Sequence, residues 1–303
     1  MSLRHFRTLE DLSKDELIAL LDRADALKAA RGKADHPRPL EGKTVAIVLE
    51  KSSTRTRLSF EVGIHELGAM ATTLIAKDTQ MGRGEPLEDT ARMLSGYVHG
   101  VVYRTFGHEK VETLCEHARI PIINGLSDDY HPCQLLADMQ TIREAKGRLE
   151  GLTVAWVGDG NNMAHSWMLA AALGGFHLRV ASPAGYEVKA AIVAKAEAMG
   201  ADLTLTNDPE AAVAGADVVT TDVWASMGQE AEQEAREAAF AAYEVDSALM
   251  GHAAEDAIFL HCLPAHRGEE VSAEVMASPA SRVWQEAENR LHAQKALLVH
   301  LIG

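Results

Sequence analysis

Cysteine, aromatic side chains and positive charge are all scarce in this chain of 303 residues. Three cysteines, Cys115, Cys133 and Cys262, are too few and odd in number to form a disulfide framework. The sequence has no run of about 18 apolar residues that could span a bilayer. Its first residues lack the apolar core of a signal peptide. Together these absences predict a cytoplasmic protein without a membrane partner.

Acidic residues outnumber basic ones by 44 to 29, which gives a formal net charge of −15 at pH 7. Nucleic acids and anionic membranes attract basic surfaces, so neither is expected as a partner. A hydrophobic fraction of 47% and a charged fraction of 24% are those of an ordinary globular protein. The length allows two domains of roughly 150 residues each.

Apolar segments typical of buried strands alternate with amphipathic helices along the chain. This alternation predicts an α/β fold of two stacked domains with mainly parallel sheets. Strands are predicted at 44–49, 71–75, 100–103, 120–123, 153–157, 177–181, 202–205, 217–221 and 257–261. A polar break near residue 150 divides the chain into domains at 1–149 and 150–285, followed by a helix over about 286–303. Because polar motifs follow the strands, the active site is expected in the interdomain cleft.

The segment 51–57, Lys-Ser-Ser-Thr-Arg-Thr-Arg, lies where a predicted strand ends and a predicted helix begins. Free backbone N–H groups and the helix dipole favour an anion at such a junction. Arginine adds bidentate hydrogen bonds to phosphate oxygens. A simple helix cap with solvated arginines is the alternative, but three basic residues so close together in an acidic chain favour a phosphate site. The Gly-x-x-x-x-Gly-Lys pattern of a P-loop is absent, so ATP or GTP is not predicted.

Two further motifs follow predicted strands in the first half. His131-Pro132-Cys133-Gln134 places a histidine and a glutamine together, which can hold a carbonyl oxygen and an amide without a metal. A histidine that only caps the next helix is the alternative interpretation. Arg104 ends another predicted strand and, taken alone, would be a surface charge.

In the second half, the segment 156–163 is similar to the first turn of a dinucleotide fold. Methionine stands at the third glycine position and no acidic residue ends the next strand, so nicotinamide binding is not predicted. The pair Asn161 and Asn162 at a helix start suits a small zwitterion. Asp222 follows a later strand and can pair with a substrate ammonium, or it can cap a helix.

The segment 261–266, His-Cys-Leu-Pro-Ala-His, raises the possibility of zinc. Its spacing matches none of the strong structural zinc patterns, so no metal site is predicted. Cys262 as a covalent nucleophile would need a base that the sequence does not supply.

Taken together and in this order, the motifs resemble those of the aspartate/ornithine carbamoyltransferase family. The matching segments are Ser53-Thr54-Arg55-Thr56-Arg57, His131-Pro132-Cys133-Gln134, Asp222 with Ser226-Met227-Gly228, His261-Cys262-Leu263-Pro264 and Glu286-Ala287-Glu288-Asn289-Arg290. The Ser-Met-Gly and His-Cys-Leu-Pro signatures are similar to the ornithine branch rather than the aspartate branch. The resemblance implies carbamoyl transfer from carbamoyl phosphate to the δ-amine of L-ornithine, with no cofactor. Arginine biosynthesis is the expected role, and the reverse, catabolic direction stays open on the sequence.

The same resemblance implies roles for individual residues. Binding of carbamoyl phosphate is assigned to Ser53, Thr54, Arg55, Thr56, Gln80, Arg104, His131, Pro132, Cys133, Gln134, Cys262, Leu263 and Arg290. Binding of ornithine is assigned to Asn162, Asp222, Ser226 and Met227. Catalysis would depend on Arg55, Arg104, His131 and Cys262. Gln80 matches a position that reaches into the neighbouring subunit's site, which implies a homotrimer or a multiple of one. The helix that carries Arg290 would pack back onto the first domain.

Three alternatives remain open on the sequence. Another amine, such as putrescine or N-acetylornithine, could replace ornithine, although Asp222 with Ser-Met-Gly favours an α-amino acid. A non-catalytic binding subunit is disfavoured by the intact set of Arg55, Arg104, His131 and Cys262. A dinucleotide-dependent oxidoreductase is disfavoured by the turn at 158–163.

Overall fold

The computed structural model describes residues 3–225 and 233–303. The chain forms two compact units, one made of Met1–Gln140 with Glu288–Gly303 and the other of Thr141–Ala287. None of the helices in the described ranges combines the length and apolar character needed to span a bilayer.

A four-stranded parallel sheet lies at the centre of the first unit. Its strands are β1 (Thr44–Leu49), β2 (Met70–Ile75), β3 (Gly100–Arg104) and β4 (Ile122–Leu126), in the spatial order β2-β1-β3-β4. All residues of β3 and all of β1 except Thr44 are buried. Such continuous apolar strands are typical of parallel sheets that helices cover on both faces.

Helices alternate with these strands along the chain. They are α1 (Lys14–Ala30), α2 (Thr54–Glu66), α3 (Leu87–Tyr97), α4 (Glu109–His117) and α5 (Pro132–Lys146), with 3₁₀ turns at Leu9–Asp11, Ala76–Asp78 and Met81–Arg83. A capping box fixes the start of α1, because Ser13 Oγ accepts from the N–H of Glu16 at 3.2 Å while the Glu16 carboxylate accepts from the N–H of Ser13 at 2.9 Å. The last residues of α5 belong to the second unit.

The second unit contains a five-stranded parallel sheet. Its strands are β5 (Thr153–Val157), β6 (His177–Ala181), β7 (Asp202–Thr206), β8 (Val218–Thr221) and β9 (Ile258–His261), in the order β7-β6-β5-β8-β9. Its helices are α6 (Asn162–Gly174), α7 (Ala190–Ala198), α8 (Pro209–Val213), α9 (Gln233–Phe240), α10 (Ser247–Met250) and α11 (Ala273–Ala277). The last helix, α12 (Val283–Ile302), begins in the second unit and continues into the first.

The two parallel sheets confirm the predicted α/β class. The strand predicted at 120–123 is present but displaced toward the C-terminus, because β4 begins at Ile122 and continues to Leu126. A segment near the N-terminus pairs with this strand, and the strand therefore continues through residues that are not apolar. The N–H of Asn124 donates to the carbonyl of Phe6 at 2.8 Å, and Asn124 Nδ2 donates to the carbonyl of Arg7 at 2.9 Å. This long-range pairing gives the backbone N–H and the side-chain Nδ2 of a buried asparagine their partners, although a local pattern places this residue in a loop.

A buried histidine on α12 makes the first unit sensitive to acid. Burial, with smaller contributions from Lys295 and Lys28, lowers the pKa of His292 to about 4. In the unfolded chain this histidine titrates near 6.5, so below that pH the unfolded state binds more protons than the native state. We expect the free energy of unfolding to fall by roughly 1–2 kcal/mol between pH 7 and pH 5 through this residue. Urea unfolding of the wild type and of His292→Leu at both pH values measures the difference.

The exposed His252 supplies the matched control, as His252→Leu. The fall in the free energy of unfolding between pH 7 and pH 5 should be smaller in His292→Leu and unchanged in His252→Leu. An equal loss in wild type and His292→Leu would contradict the assignment of this acid sensitivity to the buried ring.

Candidate active site

The first group of candidate residues lies at the carboxyl ends of β1, β3 and β4. Ser53 caps α2, since its Oγ accepts a hydrogen bond from the N–H of Thr56 at 3.1 Å. Other N–H groups of the first helical turn point along the positive end of the helix dipole. Ser53 and Arg55 are half-buried and Thr54 is exposed, so this helix end is open to a ligand. Such an end favours a phosphate group.

Thr56 joins two arginines that are distant in sequence. Its buried Oγ1 accepts a hydrogen bond from Arg290 Nη2 at 3.1 Å and a longer one from Arg104 Nη1 at 3.4 Å. Arg104 ends β3, whereas Arg290 lies on α12, 234 residues after Thr56. Both arginines are themselves buried. The fold therefore places two positive charges next to the first turn of α2.

Gln134 is oriented by partners on both sides of its amide. Its Oε1 accepts from Arg290 Nη1 at 2.7 Å, and its Nε2 donates to Asp138 Oδ1 at 2.7 Å. Both Gln134 and Asp138 are buried, and they lie four residues apart on α5. Only this helical spacing marks Asp138 in the sequence. Asp138 fixes which end of the Gln134 amide faces Arg290.

His131 precedes α5 and is buried against this cationic group. Burial lowers the pKa of His131 well below its usual range. The positive charges of Arg290, Arg104 and Arg55 lower it further. His131 is therefore a neutral imidazole near pH 7, and one of its ring nitrogens can donate a hydrogen bond to a carbonyl oxygen. The group as a whole can hold an anion and polarise a carbonyl beside it.

Glu50 supports the strand end that carries Arg104, and sequence analysis missed it. Its carboxylate accepts hydrogen bonds from Tyr103 Oη at 2.7 Å, Thr105 Oγ1 at 2.7 Å and Lys110 Nζ at 2.8 Å. Tyr103 and Thr105 are the two neighbours of Arg104 in sequence. Glu50 thereby anchors the backbone on both sides of that arginine.

Lys51 belongs to the basic segment but has a partner within the first unit. Its Nζ forms an ion pair with Asp128 and lies 4.6 Å from the centre of the Phe106 ring. This pairing across 77 residues offsets the lysine charge. The ion pair leaves the arginines as the main positive charges beside α2.

The second group lies at the carboxyl ends of β5, β8 and β9. Asp222 is buried and accepts two hydrogen bonds, from Cys262 Sγ at 3.1 Å and from Asn161 Nδ2 at 3.0 Å. Asn161 also caps α6, because its Oδ1 accepts from the N–H of Met163 at 2.9 Å. One carboxylate therefore holds a helix cap and a thiol in fixed positions. This group can bind an amine or ammonium through Asp222.

The backbone after Cys262 is held in an uncommon conformation. Leu263 has a φ of +59°, in the left-handed region that few residues other than glycine adopt. Its N–H donates to His261 Nδ1 at 2.9 Å, so His261 Nε2 carries the proton and donates to Glu270 Oε1 at 3.0 Å. Ligand atoms of Asp222, His261 and Cys262 lie within 4.8 Å of one another, and both ring nitrogens of His261 are engaged in hydrogen bonds. Backbone strain of this kind is found at functional sites.

The structure places the remaining predicted residues as follows. Asn162 is the first residue of α6 and half-buried, Gln80 is exposed beside the 3₁₀ turn Met81–Arg83, and Pro132 opens α5. Cys133 Sγ donates to the carbonyl of Asn124 at 3.3 Å, and burial raises the pKa of its thiol to about 12. Ser226 and Met227 lie outside the described residues.

Arg236 is a further residue that sequence analysis missed. Its buried guanidinium donates to the carbonyl of Trp224 at 2.8 Å, lies 3.2 Å from Asp159 Oδ2 and stacks over the Tyr186 ring. Nothing local marks Arg236, because it follows its partners by 12 to 77 residues. It holds the backbone at Trp224, which follows Asp222 by two residues.

Two family profiles match the chain. The profile described as "Aspartate/ornithine carbamoyltransferase, carbamoyl-P binding domain" matches residues 4–144. The profile described as "Aspartate/ornithine carbamoyltransferase, Asp/Orn binding domain" matches residues 150–301. The first range contains Thr56 and its partner Arg104, and the second contains Asp222 and Cys262.

Curated relatives and solved structures agree with these profiles. The chain is 55% identical to an ornithine carbamoyltransferase from Hydrogenovibrio crunogenus over 100% of this chain and 99% of that protein. It is 54% identical to an anabolic ornithine carbamoyltransferase from Pseudomonas aeruginosa over 100% of this chain and 98% of that one. The solved ornithine carbamoyltransferase from Pyrococcus furiosus superimposes with a TM-score of 0.95 at 48% identity, covering 99% of this chain and 97% of that one.

Proposed function

The chain belongs to the aspartate/ornithine carbamoyltransferase family, and from that premise we propose the reaction that its two groups of residues perform. The chain is a transferase that moves the carbamoyl group of carbamoyl phosphate to the δ-amine of L-ornithine, which gives L-citrulline and phosphate. One observation carries the proposal: a buried hydroxyl, Thr56, lies between Arg104 and Arg290 at the end of a helix that favours phosphate.

The first group binds carbamoyl phosphate in this proposal. The N–H groups at the start of α2, with Ser53, Thr54 and Arg55, hold the phosphate. Arg104, Gln134 and neutral His131 orient the carbamoyl group and stabilise the oxygen that gains negative charge. A neutral His131 serves this role better than a charged one, because it donates a hydrogen bond without adding another cation to a crowded site.

The second group binds ornithine. Asp222 supplies the negative charge that an α-ammonium group needs, and Asn162 adds donors and acceptors at the helix end. Ser226 and Met227 lie outside the described residues, and their role as ornithine ligands stays a prediction from the resemblance. Cys262 and Leu263, which the resemblance assigns to carbamoyl phosphate, adjoin this group, and the hydrogen bond from Cys262 to Asp222 fixes the thiol.

The reaction balances without a cofactor. The neutral δ-amine attacks the carbamoyl carbon, and a carbon–nitrogen bond forms while the carbonyl oxygen becomes an oxyanion. The carbon–oxygen bond to phosphate then breaks, and the amine proton leaves with the phosphate. Holding both substrates in attack geometry can contribute roughly 7–11 kcal/mol to catalysis.

We further propose that the chain works as a homotrimer, or as a multiple of one, in which Gln80 reaches a neighbouring site. Leu58 and Val62 lie one turn apart on α2 and are exposed, as is Met70 at the start of the edge strand β2. Apolar residues exposed together mark an interface between chains. Light scattering should give about three times the chain mass of 32.7 kDa, or a multiple of that trimer mass. A monomer at micromolar concentration would contradict the proposal.

The biosynthetic direction and a cytoplasmic location complete the proposal. The Pseudomonas aeruginosa relative and a Campylobacter jejuni structural neighbour both carry "anabolic" in their names. Deletion of the gene should make growth of the host depend on arginine, whereas unchanged growth without arginine would exclude this role. Fractionation of the host should recover the protein with the cytoplasm.

The decisive experiment supplies carbamoyl phosphate with L-ornithine, putrescine, N-acetylornithine or L-aspartate in parallel and measures the ureido product. Rapid product formation with ornithine alone is the expected result. Product only with another amine would leave the proposed carbamoyl phosphate site in place and overturn the assignment of Asp222 to the ornithine ammonium. No product with any amine would overturn the proposed reaction.

A further inference from the structure

A cluster of potential metal ligands lies in the turn that follows the His261–Pro264 segment. His266 Nδ1 is 3.5 Å from Glu269 Oε2 and 4.0 Å from Glu270 Oε2, and ligand atoms of the three residues all lie within 4.8 Å of one another. The backbone turn brings them together, because the N–H of Glu269 donates to the carbonyl of His266 at 3.1 Å. Gly268 sustains the turn with a φ of +87°. The cluster is separate from Asp222 and Cys262.

Glu270 gives this cluster a feature that a chance group of acidic residues lacks. Its side chain is fully buried, and Oε1 accepts from His261 Nε2 at 3.0 Å and from the N–H of His266 at 2.6 Å. The other oxygen, Oε2, is buried and has no hydrogen-bond partner among residues 3–225 and 233–303. A buried carboxylate oxygen left in this state is unfavourable unless a further group satisfies it. The Nδ1 atom of the exposed His266 ring lies 4.0 Å from this oxygen.

We propose that His266, Glu269 and Glu270 bind a divalent cation of the Zn²⁺ type. One imidazole nitrogen with two carboxylate oxygens is a ligand set that zinc accepts, with a position left for water. In a tetrahedral zinc site, ligand atoms lie about 3.4 Å apart. The His266–Glu269 distance already matches this spacing. Both side chains reach solvent, so small rotations bring them into range while the buried Glu270 stays fixed.

The proposed site is coupled to the ornithine side of the protein through Glu270. A cation on Oε2 holds the carboxylate in the orientation in which Oε1 accepts from His261. His261 in turn holds the N–H of Leu263, directly after Cys262. Cation binding therefore stabilises the uncommon backbone conformation beside the thiol, whichever amine the enzyme uses.

Calorimetric titration of the purified full-length protein with Zn²⁺ tests the proposal. A Cys262→Ser background removes the thiol as a competing ligand. In that background, His266→Gln and Glu269→Gln change exposed or half-buried side chains and spare the buried Glu270. The matched control is Glu274→Gln, which removes an exposed carboxylate on α11. Loss of one ligand is expected to weaken Zn²⁺ binding by at least about tenfold.

The proposal predicts tight binding in Cys262→Ser alone and with Glu274→Gln added, and weakened binding with either His266→Gln or Glu269→Gln added. Equal affinity in all four proteins would overturn it. Loss of binding in Cys262→Ser itself would also overturn it, because the cation would then depend on the thiol near Asp222. Both outcomes are independent of whether the protein transfers carbamoyl groups.

Discussion

Replacement of Arg55 by alanine is expected to lower kcat/KM by about 10²–10³-fold, because one preorganised donor at the developing charge is lost. Arg55 is the half-buried arginine in the first turn of α2, and its charge contributes to the low pKa of His131. Alanine preserves the helix, so the change reports on charge and hydrogen bonding. Steady-state kinetics with varied carbamoyl phosphate, together with thermal unfolding, measures the effect.

Arg57 is the control on the same helix. It is exposed and forms an i, i+4 ion pair with Glu61 at 2.9 Å, an interaction of small value at a surface. Arg57→Ala should therefore retain activity within a few-fold of the wild type. Near-normal turnover in a folded Arg55→Ala protein would refute the phosphate assignment, whereas equal losses in both variants would point to damage to α2.

Asp222→Asn is expected to lower kcat/KM for ornithine by roughly 100-fold, the scale of removing a charge from a buried, hydrogen-bonded pair. The carboxylate accepts from Asn161 on one oxygen and from Cys262 on the other. An asparagine amide offers a single acceptor oxygen, so its NH₂ group faces one of these two donors. The substrate ammonium also loses its counter-charge. Kinetics with ornithine varied at saturating carbamoyl phosphate measures the loss.

The same substitution at Asp202 is the matched control, because Asp202 is exposed on β7 of the same unit. Asp202→Asn should leave both KM values near those of the wild type. For Asp222→Asn, the KM for carbamoyl phosphate should change far less than that for ornithine. If both KM values rose together, Asp222 would be a structural residue and the amine assignment would fail.

The strands and the capped, arginine-containing start of α2 could be predicted because their signals are local. Apolar runs such as Val45–Leu49 identify a buried parallel strand within a few residues. The segment 51–57 combines a cap and arginines next to such a strand. The position of Arg55 in the first turn of α2 follows from neighbours in the sequence, whereas Arg104 and Arg290 reach Thr56 from elsewhere in the chain.

The partners that tune the site could not be predicted, because they are distant in sequence. Lys51 contributed to the predicted phosphate charge, yet the fold pairs it with Asp128. Asp138 and Arg236 carry no local motif. At the start of α6, Asn161 caps the helix and holds Asp222, whereas Asn162 is the predicted ligand. A shift of one residue in the helix start reverses these two roles, and sequence patterns do not define helix ends that finely.

The hydroxyl of Thr56 acquires a fixed direction from its two arginine partners. A hydroxyl oxygen has two lone pairs and one hydrogen, and Arg104 and Arg290 occupy both lone pairs. The only hydrogen-bonding capacity left is the hydrogen itself, so Thr56 acts toward a ligand as an obligate donor. Such a group donates to the oxygen of a phosphate or carbonyl and cannot accept a hydrogen bond from the N–H of an amine. The two arginines thus make the neutral Thr56 side chain selective for hydrogen-bond acceptors. Serine at this position would keep that selectivity, and valine, which has no hydroxyl, would abolish it.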